Sequence, residues 1–322
     1  MSRYFATRAV EIAVTLALMS FVVYLLIGLM PGDPIDLMLA GDPRMTSEDA
    51  ARLRKVYGVD GPLLERYLAW AHQLLLGNLG YSRSYSQPVL VVLAPRLLNT
   101  LQLAGLAFVI SIAIALPLGI WAANHPRSKA DYLINLFCFA GISTPPFWLA
   151  LLMITLFAVS LGWLPAGGMA DIRPGTSWDV ALWQKLRFMA LPVATLTLVH
   201  IGSYTRFMRG AMIETLRQDY VRTARAKGAS DCRVLWRHAF ANALAPVLTI
   251  LGLSFGGLFS GALITEIMFA WPGMGKAIYQ AILDNDYNLA LVGLLFVTFA
   301  TIVGNLLADL ALVAVDPRVS LA

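Results

Sequence analysis

Six long apolar segments constrain this chain more than anything else in it. They run over roughly 9–30, 100–123, 132–161, 188–207, 244–268 and 289–315, and each holds about the 20 mostly apolar residues a helix needs to cross a bilayer. Lipid offers backbone N–H and C=O groups no hydrogen-bond partners, so such segments have to be helical. The expected fold is all-α and polytopic, with six transmembrane helices. Charged residues are only 13% of the chain, against about 25% in soluble domains, too few to cover a water-soluble globule. The first segment follows Arg3 and Arg8 and could be taken for a signal peptide. Ala9 to Met30 is longer than the about 7–15 residues of a signal core, however, and no A-x-A site follows, so it reads as a retained helix. The third segment is long enough to tilt or to break at Pro145-Pro146. The fourth ends in polar residues: His200, Ser203, Tyr204 and Arg206.

Basic residues set the orientation. With a cytoplasmic N-terminus, the inside segments hold Arg3 and Arg8, then Arg127 and Lys129. A dense group follows: Arg206, Arg209, Arg217, Arg222, Arg225, Lys227, Arg233 and Arg237. The short outside loops hold Arg173, Lys185 and Arg187, then Lys276 alone. Both termini are therefore expected in the cytoplasm. The net charge of +5 is accounted for by this topology and needs no nucleic-acid partner.

The expected organisation is an N-terminus and first helix over 1–30, an extracytoplasmic helical subdomain over 31–99, a five-helix core over 100–315 with a cytoplasmic loop at 208–243, and a cytoplasmic tail over 316–322. Within 31–99, Thr46, Ser47, Glu48 and Asp49 form a helix start and Gly58 a stop. Pro62 suits the first turn of a second helix ending at Gly77. Leu64, Leu68, Ala71 and Leu75 give that helix an apolar face.

The most informative stretch is 208–243. It contains Tyr220-Val-Arg-Thr-Ala-Arg-Ala-Lys-Gly-Ala-Ser230 and then Arg237-His-Ala-Phe-Ala-Asn-Ala-Leu-Ala-Pro246. A short helix rich in Ala, Arg and Lys and stopped by Gly228 suits a protruding element that docks elsewhere. Its cations fit an acidic or polar partner surface, or lipid headgroups, and charge alone leaves open a solvated basic loop needed only for topology.

This stretch resembles the EAA loop of ABC importer permeases, a loose pattern of E-A-A, three residues, Gly and a second apolar helix. Arg222-Thr223-Ala224 stands where E-A-A would, and Gly228 holds the matching place. The form Y-V-R-T-A-R-A-K-G resembles the dipeptide, oligopeptide and nickel branch. Further motifs of its first membrane subunit follow in order: Leu29-Met-Pro-Gly-Asp-Pro34, Tyr57-Gly-Val-Asp-Gly-Pro62, Gly77-Asn-Leu-Gly80, Asn99-Thr100, Glu266-Ile-Met-Phe-Ala-Trp-Pro-Gly-Met-Gly275 and Asp316-Pro-Arg318.

The resemblance implies a type I ABC importer permease of the bacterial inner membrane that moves di- or oligopeptides by alternating access. It implies as partners a second homologous permease, two ATPase subunits that bind ATP and Mg, and an extracytoplasmic solute-binding protein. It assigns ATPase coupling to Tyr220, Arg222, Thr223, Ala224, Arg225, Lys227 and Gly228. A pathway role is expected for Ser143, Thr144 and Pro145, where a broken helix frees backbone groups that lipid does not tolerate. Glu266, an ionisable group at the close of the fifth span, is a further pathway candidate, or else an interfacial cap.

No cofactor, metal or catalytic residue is expected on the chain itself. Gly273-Met-Gly-Lys276 evokes a phosphate-binding loop, but the pattern needs Gly at 270 and Ser or Thr at 277, and both are Ala. Gly252-Leu-Ser-Phe-Gly256 matches G-x-S-x-G, yet Ser254 lies within a span, and Gly252, Gly256, Gly257 and Gly261 suit close helix packing. An intramembrane serine protease is thus a weak alternative. His72, His125, His200 and His238 are scattered, and Cys138 and Cys232 read as packing residues. An ion-coupled secondary transporter, the other alternative, would call for carboxylates at mid-membrane and inverted repeats. Glu11 and Asp309 lie near span ends, and no repeat is evident.

Overall fold

The computed structural model describes residues 2–28, 46, 61–170 and 177–315. The Leu29–Pro34 and Asp316–Arg318 motifs, most of Tyr57–Pro62, and the expected helix from Thr46 to its Gly58 stop (Thr46 itself apart) lie outside the described residues. The chain divides into two compact units, one of Met1–Leu97 with Ala277–Phe299 and one of Leu98–Lys276 with Ala300–Ala322.

In the first unit, α1 (Ser2–Gly28) is an apolar helix with Thr7–Gly28 able to span a membrane. The short α2 (Leu63–Leu75) packs on it. Tyr67 is the centre of that contact. Its hydroxyl donates to Ala17 O at 3.2 Å and bonds Ser20 Oγ at 2.8 Å, while its ring meets Phe21 and Tyr24 edge-on. The apolar stripe of Leu64, Leu68 and Leu75 is exposed in this chain. A small antiparallel hairpin follows, β1 (Tyr81–Ser82) with β2 (Gln87–Pro88), in register Tyr81↔Pro88 and Ser82↔Gln87.

The hairpin is tied to the turn between α11 (Met274–Leu283) and α12 (Tyr287–Val315). Asp286 does this: one carboxylate oxygen accepts from Ser82 Oγ and Ser84 N–H, the other from Leu289 N–H at the start of α12. Ser82 and Asp286 are each 1% exposed. This contact requires the two segments to share one side of the membrane.

The second unit is organised around α6 (Trp178–Leu216), a helix of 39 residues whose buried side chains run from Met189 to Thr215. α3 (Val89–Asn124) has 36 residues and starts well ahead of the expected position 100, because Val89–Leu98 is apolar enough to extend it. α4 (Lys129–Ser143) and α5 (Pro146–Met153), the latter continuing as a π-helical turn over Ile154–Ser160, form the third apolar segment. The two are bent by 104°. Sequence chemistry dictates where: a residue before proline is driven out of the α region, and Thr144 and Pro145 are both extended, at ψ 123° and 134°. Pro146 then opens α5, where a missing N–H costs nothing.

After α6 come α7 (Asp219–Ala226), the single turn α8 (Asp231–Arg233), a π-helical turn over Val234–Phe240, α9 (Ala241–Gly261) and α10 (Leu263–Met268). Among the described residues five helices are long and apolar enough to cross a membrane, or six if the bent α4–α5 pair is one span. The protein is all-α and polytopic, with the hairpin the only sheet among the described residues.

Candidate coupling site

Gln218, extended at ψ 149°, ends the run of α6 and lets α7 start in a new direction. Thr223 Oγ1 donates to Asp219 O at 2.9 Å, and Arg222 lies 3.3 Å from the Asp219 carboxylate. The C-terminus closes in a Schellman motif: Gly228 N–H donates to Arg225 O at 2.9 Å, and Ala229 N–H donates to Ala224 O at 3.1 Å. That closure needs a left-handed residue, and Gly228 has φ +80°, a conformation costing other L-residues roughly 1–2 kcal/mol.

Val221, fully buried, anchors α7, which packs on the π-helical turn Val234–Phe240. Tyr220, Arg222, Thr223, Arg225, Lys227 and Gly228 are exposed, and Ala224 is half-buried. The Arg222 and Arg225 side chains are 73% and 52% exposed. Partial burial pushes the Tyr220 phenol above its ordinary pKa. All seven residues singled out in the sequence thus gather on one short, cationic, donor-rich helix and its cap.

The helix stands on a braced base. Arg209, near the end of α6, grips Asp131 in the first turn of α4, Nε to Oδ1 at 2.7 Å and Nη2 to Oδ2 at 2.8 Å. Arg127 N–H and Asn135 Nδ2 also donate to Asp131 at 2.9 Å. Further along, a Cβ on Gly202 would sit 2.6 Å from Cys138 O, so α4 and α6 touch backbone to backbone there. Sequence reading missed this pair. The signal lay in Ser128-Lys-Ala-Asp131, since Ser128 Oγ accepts Asp131 N–H at 3.1 Å as a helix cap.

Glu266 is fully buried. Thr100 Oγ1 donates to its Oε1, and Lys276 N–H donates to its Oε2 at 2.9 Å. Met274 N–H donates in turn to Thr100 Oγ1 at 2.8 Å. Asn99 closes the arrangement, donating to Pro272 O at 2.9 Å and accepting from Trp271 Nε1 at 3.1 Å. A Cβ on Gly273 would fall on the Glu266 carboxylate. Ser143 and Pro145 are exposed and Thr144 half-buried at the α4–α5 bend. The Glu266 carboxylate is not brought to them, although α10 packs on α5. Ser254 Oγ donates to Ile250 O within its own helix.

Two family models cover nearly the whole chain: the N-terminal part of the binding-protein-dependent transport system membrane component over residues 1–104, and the binding-protein-dependent transport system inner membrane component over 115–321. The chain belongs to this inner-membrane transport family. The permease is 34% identical over 97% of its length to the oligopeptide transport system permease protein AppB of Bacillus subtilis, covering 96% of that protein. It is 35% identical to a protein of Sinorhizobium fredii named as a peptide ABC transporter permease, over 99% of each chain. It is 38% identical to a peptide permease protein of Brucella ovis, over 94% of this chain and 93% of that one. The family is a transport component and not an enzyme. In this permease two of the sequence motifs, Asn99-Thr100 and Glu266–Gly275, are the two halves of one hydrogen-bonded knot.

Proposed function

We propose that this permease is the first membrane-spanning subunit of an ATP-driven type I importer for di- or oligopeptides, with α7 as the helix that receives force from an ATPase subunit. A second homologous permease, two ATPases holding ATP and Mg, and an extracytoplasmic binding protein complete the complex. Peptide passes between the two permeases by alternating access, and both termini of this chain face the cytoplasm. The observation that carries the reading is the cationic α7, capped by Gly228 and seated on Val221, at the end of an unbroken 39-residue helix.

The relatives' names supply the cargo class. Mechanically, closure of two ATPases must push on something stiff. α7 passes the push to α6, and the Asp131–Arg209 grip with the Gly202 contact makes α4 follow. The Thr144–Pro145 bend is then where the moving pair can hinge against α5. Ser143, Thr144 and Pro145 act there as a hinge beside the pathway, and Glu266 acts as a tie that holds the Trp271–Lys276 loop to α3. An ion-coupled transporter would call on buried carboxylates, but Asp131, Glu266 and Asp286 are each occupied by donors of this chain.

Uptake of labelled di- and tetrapeptides into proteoliposomes holding all the subunits tests this. Wild type should accumulate peptide only with ATP inside the ATPase-accessible compartment. Gly228→Val, whose β-branched side chain resists φ +80°, should insert normally yet lose at least about 1–2 kcal/mol of the cap and most of the uptake. Normal ATP-driven uptake by that variant would overturn the role given to α7.

A further inference from the structure

His200 lies on α6 inside the charge-free stretch between Arg187 and Arg206. Helical rise puts it about 9 Å from Arg206 and about 20 Å from Arg187, within a hydrocarbon layer of about 30 Å. It is on the opposite side of α6 from the α4 contact. Its ring stacks on Tyr204, with centroids 5.8 Å apart and planes at 10°. With Ala104, Ala107, Leu196, Leu258 and Ala262 it lines a small cavity at the meeting of α3, α6 and the α9–α10 end.

The polar groups there are short of partners. Among the described residues no hydrogen bond reaches the His200 imidazole, which is only half-buried. The Tyr204 hydroxyl, on a residue 2% exposed, lies beside Ser254 but completes no hydrogen bond. Ser254 has turned its own hydroxyl back to a carbonyl of its helix, Ile250 O. Lipid cannot satisfy an imidazole, and polar side chains at this depth face protein, cargo or water. Unpaired buried groups in a native fold commonly mark a bound water or ligand.

We propose that His200, backed by Tyr204, lines the water-filled passage of the permease and hydrogen-bonds the passing peptide. This rests on the importer reading for its cargo but not for its water. Imidazole and phenol can each donate and accept, which suits the alternating N–H and C=O groups of any peptide and would not select a side chain. The small alanines around His200 leave room for main chain to approach.

The test uses the full complex in proteoliposomes, with Cys138→Ala and Cys232→Ser as background. His200→Cys is exposed to a membrane-impermeant cationic methanethiosulfonate, without nucleotide and with ATP plus vanadate. Val14→Cys, on the exposed apolar face of α1, is the lipid-facing control. Labelling of His200→Cys should be at least tenfold faster than the control in one nucleotide state and slowed by cargo. Labelling no faster than the control in either state would overturn the passage assignment. Labelling that cargo does not slow would overturn peptide contact. Peptide uptake should fall about tenfold in His200→Ala with assembly unchanged and recover in His200→Gln, which keeps a donor and an acceptor; uptake at wild-type rate in the alanine variant would also overturn contact. Water access can be measured even if no ATPase joins the chain, so failure of this site and failure of the importer reading give different results.

Discussion

Arg209 and Asp131 meet fork to fork, with two parallel hydrogen bonds of 2.7 and 2.8 Å between the end of α6 and the first turn of α4. Only 4% of the Asp131 side chain is exposed, against 26% for Arg209. Breaking a buried pair by removing one partner costs about 3–5 kcal/mol, and the partial exposure of Arg209 favours the low end. Asp131→Asn should lower the melting temperature of the detergent-purified complex by an amount matching about 3 kcal/mol. Arg209→Lys should recover little, because one ammonium cannot span two oxygens. If the pair transmits force as well, Arg209→Lys should raise the ATP hydrolysed per peptide imported. An unchanged ratio would leave the pair a brace only.

The Glu266 knot makes a different prediction. Glu266→Gln puts an amide where two donors already point, leaving one of them facing another N–H, at a cost of about 1–3 kcal/mol. Thr100→Val removes the relay to Met274 as well. Gly273→Ala should be the most damaging of the three, since its Cβ has no space beside the carboxylate. Protease cutting within Trp271–Lys276 reads the result. Gly273→Ala should be cut fastest and Glu266→Gln at an intermediate rate. Equal resistance in all three would remove the tie.

Asp286 does two jobs that can be separated. It caps α12 through Leu289 N–H and holds the hairpin through Ser82 and Ser84. Asparagine is also a good cap, whereas alanine loses about 0.5–2 kcal/mol of capping. In Asp286→Asn, hydrogen exchange should accelerate at Ser84 and at Tyr85, whose N–H donates to the Ser82 Oγ held by Asp286, but not at Leu289. In Asp286→Ala it should accelerate at all three. Protection of Ser84 in both variants would show that the hairpin is held by other contacts.

The spans were legible in the sequence because lipid imposes one requirement on every residue of a crossing segment. The break at Pro145-Pro146 was legible for a similarly local reason, the exclusion of the α region for a residue that precedes proline. α7 could be read from its Gly228 stop and its charge. What escaped was non-local. Asp131 and Arg209 lie 78 residues apart, Thr100 and Glu266 166, and Ser82 and Asp286 204. No periodicity or cap signal links positions so distant. The start of α3 at Val89 was missed for another reason: a threshold of hydropathy does not register where a helix begins outside the bilayer. The hairpin was missed because two-residue strands show no alternation.

The most direct measurement is ATP hydrolysis by the complex purified from detergent after expression with its neighbouring genes, with and without peptide-loaded binding protein. The account predicts that two ATPase subunits and a second permease co-purify with this chain, and that loaded binding protein raises hydrolysis severalfold in wild type but not in Gly228→Val. A chain that purifies alone, or peptide uptake that collapses with an ionophore and persists without ATP, would contradict it.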